Sequence, residues 1–363
     1  MFVALRDLRH ARGRFALMLV VIAMVTFLVT FLASLTAGLS RESTSALTDL
    51  DADHLAFSMP DPGDAPDFTA SSVSADQWRA WAAAPGVVGA DPLGVAMSRA
   101  GSASTTASVT ALGVEPGSAL LPPGAQDLAA SVVVLSAGAA DELSVGEGDT
   151  VTLAGETFRV GAVLDRSASF AHTPVVWTTL DDWQAIGAPG GPGATGPTAT
   201  VVALRLDDHA AVSDTDAAAG TVTVTLAQAR GAISSFSAEN GSLTMMQGFL
   251  VAISALVVGA FFTVWTISRS GDVAVLKALG ASTGYLLRDA LGQAAMVLVL
   301  GVGVGAALAA AGAALLAGAV PVVVGVSTVA VPAAALVATG LCGAALAIAR
   351  ITRIDPHAAL AAR

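Results

Sequence analysis

The 363-residue chain is 54% apolar and only 12% charged, with a mean hydropathy of +0.72. No water-soluble fold of this length can hide that much apolar surface, so an ordinary soluble enzyme is excluded. Residues between Leu39 and Gly241 hold 24 acids against 7 arginines, a net of −17, while the rest holds 4 acids against 10 bases, a net of +6.

Four bases, Arg6, Arg9, Arg12 and Arg14, precede an uncharged run over 15–40. Its 26 residues exceed the roughly 20 that a helix needs to cross a bilayer. A signal-peptide core of about 7–15 residues is far shorter, so the run predicts a first span, not a leader. The next two hundred residues alternate as strands do. The stretch 149–163 predicts two strands around an Ala-Gly-Glu turn, and 201–206 and 221–225 predict two more. Short helices are predicted over 77–84 and 180–186, and Gly/Pro-rich loops over 60–66 and 187–198.

A second uncharged run covers 240–268, and a third covers 290–349. As one helix the third would be about 90 Å long, three membrane thicknesses. It therefore predicts two spans with a break near Gly318–Pro321. The fold expected is an integral membrane α-helical protein of four spans, with an extracytoplasmic α+β domain between the first and second. Its segments are a cytoplasmic amphipathic helix 1–14, a first span 15–40, the outer domain 41–241 and a second span 242–268. Then come an inner loop 269–289, a third span 290–317, a short outer loop 318–326, a fourth span 327–349 and a cytoplasmic tail 350–363. All ten bases outside the acidic domain then fall on one side, so the positive-inside rule puts both termini and the inner loop in the cytoplasm. The expected location is a bacterial plasma membrane.

The chemistry is sparse. Lys277, the single lysine, follows Leu276 and not a glycine, so no phosphate-binding loop exists and nucleotide hydrolysis by that route is excluded. No zinc-protease, Cys-x-x-Cys or nucleophile-elbow pattern is present, and one cysteine, Cys342, cannot form an intrachain disulfide. The chain is expected to be no enzyme, with no intrinsic cofactor and no metal site. Asp51-Ala-Asp-His54 reads as a partial metal site or, more plainly, as a solvated acidic segment. No basic patch supports nucleic-acid binding. The predicted spans contain no Asp, Glu, Lys, Arg or His, which argues against ion-driven transport. Their polar residues, Thr26, Thr30, Ser34, Gln247, Thr263, Thr266 and Gln293, predict hydrogen bonds between or along helices. Gly301-Val-Gly-Val-Gly305 has the small-residue spacing of close helix packing.

The inner loop carries the functional reading. In Asp272-Val-Ala-Val-Leu-Lys-Ala-Leu-Gly-Ala-Ser282, the residues Val273, Val275, Leu276 and Leu279 would form an apolar helix face beside Asp272 and Lys277, ended by Gly280. Such a face suits a groove in a partner or the lipid surface. This run is similar to the inner-loop signature of the FtsX/MacB-type permeases of ABC transporters. Leu5-Arg-Asp-Leu-Arg-His-Ala-Arg-Gly-Arg-Phe15 resembles their N-terminal helix, and Ile354-Asp-Pro-His-Ala-Ala-Leu360 their tail. Val134-Leu-Ser-Ala and Leu143-Ser-Val-Gly-Glu-Gly-Asp-Thr-Val151 resemble part of their outer domain. The stretch Ser45-Ala-Leu-Thr-Asp-Leu-Asp-Ala-Asp-His-Leu-Ala-Phe-Ser58 is most similar to the DevC/HrtB-like subgroup, some members of which export haem.

The resemblance implies a homodimeric permease in contact with lipid, with two copies of an ABC ATPase subunit docked on Asp272, Val273, Val275, Leu276, Lys277, Leu279 and Gly280. It implies ATP-driven mechanotransmission that expels a hydrophobic or amphipathic compound, haem being the leading cargo. Met24, Thr30, Ser34, Met245 and Met246 are the candidate cargo contacts, the thioethers because sulfur is a soft partner for haem iron. The alternative is an FtsX-like mechanotransmitter that regulates an outer partner, such as a cell-wall hydrolase, without moving substrate. A membrane-tethered enzyme is the third reading, and nothing in the outer domain supports it.

Overall fold

The computed structural model describes residues 12–58, 65–187, 198–268, 280, 282–316 and 319–351. It divides into two units, Ser40–Asn240 and the flanking Met1–Leu39 with Gly241–Arg363. Nine α-helices are described: α1 Arg12–Thr48, α2 Ala75–Ala82, α3 Ala137–Leu143, α4 Leu180–Ala185, α5 Val212–Ala219, α6 Leu226–Ala229, α7 Ser234–Ser268, α8 Thr283–Leu316 and α9 Val326–Ile351. Within α1, α7, α8 and α9 lie four stretches long and apolar enough to cross a membrane, and α9 carries Pro332 inside it.

The unit Ser40–Asn240 is built on twelve strands, numbered β1 to β12 in chain order. The main sheet runs β12 (Thr221–Thr225), β1 (His54–Ser58), β11 (Val201–Leu206), β3 (Val87–Gly101), β4 (Thr106–Val114), β9 (Thr173–Thr179), β5 (Val132–Leu135), β7 (Glu156–Val163) and β6 (Thr150–Leu153). It is mostly antiparallel, with parallel pairs β4–β9 and β5–β7. The long strand β3 (Val87–Gly101) reaches back to β6 (Thr150–Leu153) through Ala100↔Leu153 and Gly101↔Thr152, so six strands close on themselves. The hairpin expected over 149–163 forms as β6 and β7 (Glu156–Val163), turning at Ala154 (φ +51°) and Gly155 (φ +96°). Two successive left-handed residues match the right-handed twist of a tight hairpin.

Alternation along the strands makes two cores. In β1 (His54–Ser58), Leu55 and Phe57 join a cluster with Leu47, Phe68, Phe170 and Ile233, while Ala56 faces a second cluster with Trp81, Leu143 and Trp183. Trp183 is completely buried because β3 and β4 (Thr106–Val114) leave it a glycine window. A Cβ at Gly94 or at Gly113 would come within 2.4 Å of its side chain. The stretch 134–151 supplies β5 (Val132–Leu135), then Ser136 capping α3 by accepting from the Ala139 amide, then β6. The loop expected over 187–198 lies almost wholly outside the described residues, as does most of that over 60–66.

In the membrane unit, α1 buries Phe15, Met18, Ile22 and Val29 against Val258 and Phe262 of α7 and Val297, Leu298 and Val302 of α8. A ridge of small residues four apart on α1, Thr26, Thr30, Ser34 and Gly38, is buried, as is Gly301, Gly305, Ala309 and Ala313 on α8. A Cβ at Gly301 would sit 2.8 Å from Ile22 Cγ2, and one at Gly305 would sit 2.4 Å from the Ala23 carbonyl oxygen. The glycine spacing is thus used inside the chain, to bring α8 onto the backbone of α1.

Candidate coupling and cargo sites

The helix ends on either side of residues 269–279 are held by local contacts. At the end of α7, Trp265 is buried edge-on to Phe15 of α1, with ring centres 6.1 Å apart, and to Phe262, 6.0 Å apart. Ser268 then closes the helix, its hydroxyl donating to the Trp265 carbonyl at 2.7 Å. At the start of α8, the Ser282 hydroxyl accepts from the Tyr285 amide at 3.3 Å. Gly280 holds φ +94° in an exposed turn, a conformation that favours glycine, so its place at the end of the apolar run has a backbone reason. Asp272, Val273, Val275, Leu276, Lys277 and Leu279 lie outside the described residues, as do the segments 1–11 and 352–363. Trp265 and the Gly301–Gly305 seam thus both contact α1.

The cargo candidates separate into two groups. Met24, Met245 and Met246 are exposed on the membrane unit, at 68%, 63% and 50%. Met24 shares its face of α1 with exposed Leu17, Val20 and Leu28, and Met245 begins an exposed α7 stripe with Phe249, Ile253, Leu256, Val264 and Ile267. Thr30 and Ser34 instead belong to the buried ridge, and among the described residues neither hydroxyl has a hydrogen-bond partner. An outer ligand reaching the methionines from the lipid side therefore cannot reach those hydroxyls without moving α1.

The other polar residues act as ties. Gln247 Nε2 donates to Thr36 Oγ1 at 2.8 Å, joining α7 to α1, and Thr263 Oγ1 donates to its own helix at the Gly259 carbonyl. Gln293 Nε2 donates to Asp289 Oδ2 at 3.0 Å. The loop before α9 rests on α1: the Val323 amide donates to the Ser34 carbonyl at 3.0 Å, and a Cβ at Gly38 would strike the Pro321 carbonyl oxygen at 1.9 Å. That close approach was not legible in the sequence. In the outer unit, Asp51 pairs with Arg205 at 3.2 Å and Asp53 accepts from the Leu206 amide, so both carboxylates of the suspected metal segment serve β11 (Val201–Leu206). Among the described residues, no three His, Cys, Asp or Glu side chains are grouped to hold a metal.

The model of the MacB-like periplasmic core domain matches residues 15–222, and that of the FtsX-like permease C-terminal region matches 244–356. The chain belongs to the FtsX/MacB family of ABC transporter permeases. The permease is 26% identical to ABC transporter permease Rv2563 of Mycobacterium tuberculosis over 363 residues, 98% of each chain. It is 29% identical to the putative hemin transport system permease protein HrtB of Staphylococcus epidermidis over 141 residues, 39% of this chain and 40% of that one. Thus the alignment spans well under half of HrtB. The extracellular domain of the noncanonic ABC-type transporter YknZ from Gram-positive bacteria aligns at TM-score 0.35 and 15% identity, over 48% of this chain and 99% of that domain. Membership makes this a multi-pass membrane protein with an extracellular domain between its first two spans.

Proposed function

We propose that the permease exports a hydrophobic or amphipathic compound, haem in the first instance, when ATPase subunits bound to its inner loop drive the spans. The observation that carries this reading is the construction of α1 and α7. At 37 and 35 residues they are about 55 and 52 Å long, far beyond a 30 Å hydrocarbon layer, and each continues unbroken into the outer unit. The aromatic contact between Phe15 and Trp265 joins α1 and α7 next to the proposed coupling segment, which supports a coupled movement of the two spans.

Docking rests on Asp272, Val273, Val275, Leu276, Lys277, Leu279 and Gly280, with the termini and the loop cytoplasmic. The stripe of exposed apolar residues on α7 leaves room for a second copy or for lipid, and the proposal takes the permease as a homodimer with two ATPases. The exposed thioethers of Met24, Met245 and Met246 are the accessible soft contacts for haem, and a relative carrying a hemin-transport name favours that cargo. Cargo leaves sideways from the bilayer, since the spans offer no charged path. The test is a deletion strain. Loss of the permease should sensitise cells to haem or lipophilic drugs, and wild-type permease should restore tolerance. Unchanged tolerance with the ATPase still bound would favour the FtsX-like alternative, in which the same long helices signal to an outer partner.

A further inference from the structure

Strand β8 (Ser169–Phe170) and β9 (Thr173–Thr179) pair through Ser169↔Pro174 and Phe170↔Thr173, leaving Ala171 and His172 as a two-residue turn. Both sit in the left-handed region, at φ +49° and +64°. Asn-Gly or Gly-Gly is the relaxed choice for such a turn, so an Ala-His pair is a strained one. The strain places the imidazole between two carboxylates from different helices. His172 Nε2 lies 2.9 Å from Glu239 Oε2 of α7, and Nδ1 lies 4.0 Å from Glu42 Oε2 of α1.

The same hairpin is bound along the outer end of α1. The Ala171 amide donates to the Ser43 carbonyl at 2.9 Å, the Ser169 amide donates to Ser45 Oγ at 2.9 Å, and Arg166 pairs with Asp49. On its other side Phe170 packs edge-on to Phe68 in the core, and β9 lies in the middle of the sheet. Thus one hairpin touches the sheet, α1 and α7, all within the unit Ser40–Asn240.

We propose that His172 is a positioning residue, a proton-sensitive latch that joins α1 and α7 to the sheet through Glu42 and Glu239. A neutral imidazole can hydrogen-bond Glu239 but carries no charge toward Glu42, whereas the imidazolium also attracts Glu42 Oε2 as an ion pair at 4.0 Å, beyond hydrogen-bond reach. Among the described residues, Glu42 from α1 and Glu239 from α7 are the charged groups within 4.0 Å of the ring, and Arg166 is engaged by Asp49. The His172 side chain is 27% exposed, so protons reach it from outside. The charged ring tightens the hold of the hairpin on α1 through Glu42, and with the neutral ring α1 is held by the Ala171, Ser169 and Arg166 contacts alone. Its consequence for export rests on the reading above, but the latch itself does not.

The test is therefore hydrogen exchange on the intact permease in lipid nanodiscs, without ATP or cargo. After correction for intrinsic exchange, the Ser169 and Ala171 amides of wild type should exchange roughly fivefold faster at about pH 8 than at about pH 6, the upper range for a half-exposed ion pair. His172→Ala should show the fast rate at both pH values. His172→Arg, charged throughout, should show the slow rate at both. Equal rates in wild type and His172→Ala, or the same pH profile in wild type and His172→Arg, would overturn the latch. A latch seen by exchange together with an export rate that ignores His172→Ala would leave the latch standing and remove its role in export.

Discussion

Gly305→Ala tests how the membrane helices grip one another. A Cβ there would lie 2.4 Å from the Ala23 carbonyl oxygen, 2.7 Å from Thr26 Cβ and 3.0 Å from Ala23 Cα. Carbon rests at about 3.3 Å or more from a carbonyl oxygen, so α1 and α8 must part by roughly 1 Å at this turn. All three atoms are backbone or Cβ, and no rotamer change relieves them. Overpacking of this kind costs about 1–3 kcal/mol. Gly303, two residues away, faces outward with nothing within 4 Å of a Cβ. There alanine should gain about 0.5–1 kcal/mol as the better helix former. The two alanine variants should thus shift in opposite directions from wild type and differ by about 1.5–4 kcal/mol. Unfolding in mixed micelles by titrated dodecyl sulfate, followed by far-UV circular dichroism, reads the difference. Equal midpoints for the two variants would refute the close α1–α8 seam.

Three further outcomes follow from separate contacts. Gly94→Ala, which drives a Cβ to 2.4 Å from the Trp183 ring, should destabilise the outer unit by about 1–3 kcal/mol, seen as a lower thermal midpoint in the fluorescence of its tryptophans. Gln247→Leu removes the 2.8 Å tie to Thr36, which keeps its own bond to the Leu32 carbonyl. The loss should be small, about 0.6 kcal/mol, in the same micelle titration, and a loss several times larger would mean that Gln247 does more than tie α7 to α1. If haem is cargo, Met245→Ala with Met246→Ala should shift or abolish the Soret band of haem bound to the purified permease, while Thr30→Ala should not. A shift in Thr30→Ala alone would mean that α1 swings open to bind.

The spans were readable because a bilayer demands uncharged runs of a known length, and Lys277 stands out between two of them. The hairpin at Ala154-Gly155 and strands β11 and β12 (Thr221–Thr225) were readable from alternation and turn residues. Helix ends were less so. The uncharged run stops at Ser40, yet α1 continues through Arg41 and Glu42 to Thr48, because Ala46 and Leu47 bury into the outer core. Likewise α7 starts at Ser234, before its apolar run. The glycine spacing at 301–305 was visible, but its partner on α1 was not. Thr30 and Ser34 looked like ligand groups by type, and only burial places them in a packing ridge. His172, Glu42 and Glu239 share no local pattern, since tertiary pairing alone brings them together.

Co-purification with the ATPase reads whether energy enters through the apolar run after Asp272. Affinity-tagged wild-type permease should retain its ATPase subunit. Lys277→Glu or deletion of residues 273–279 should reduce the bound ATPase by about tenfold or more, as loss of a central anchor does. Membrane insertion of both variants is checked by accessibility of the outer unit. Undiminished ATPase capture by the deletion variant would contradict the account.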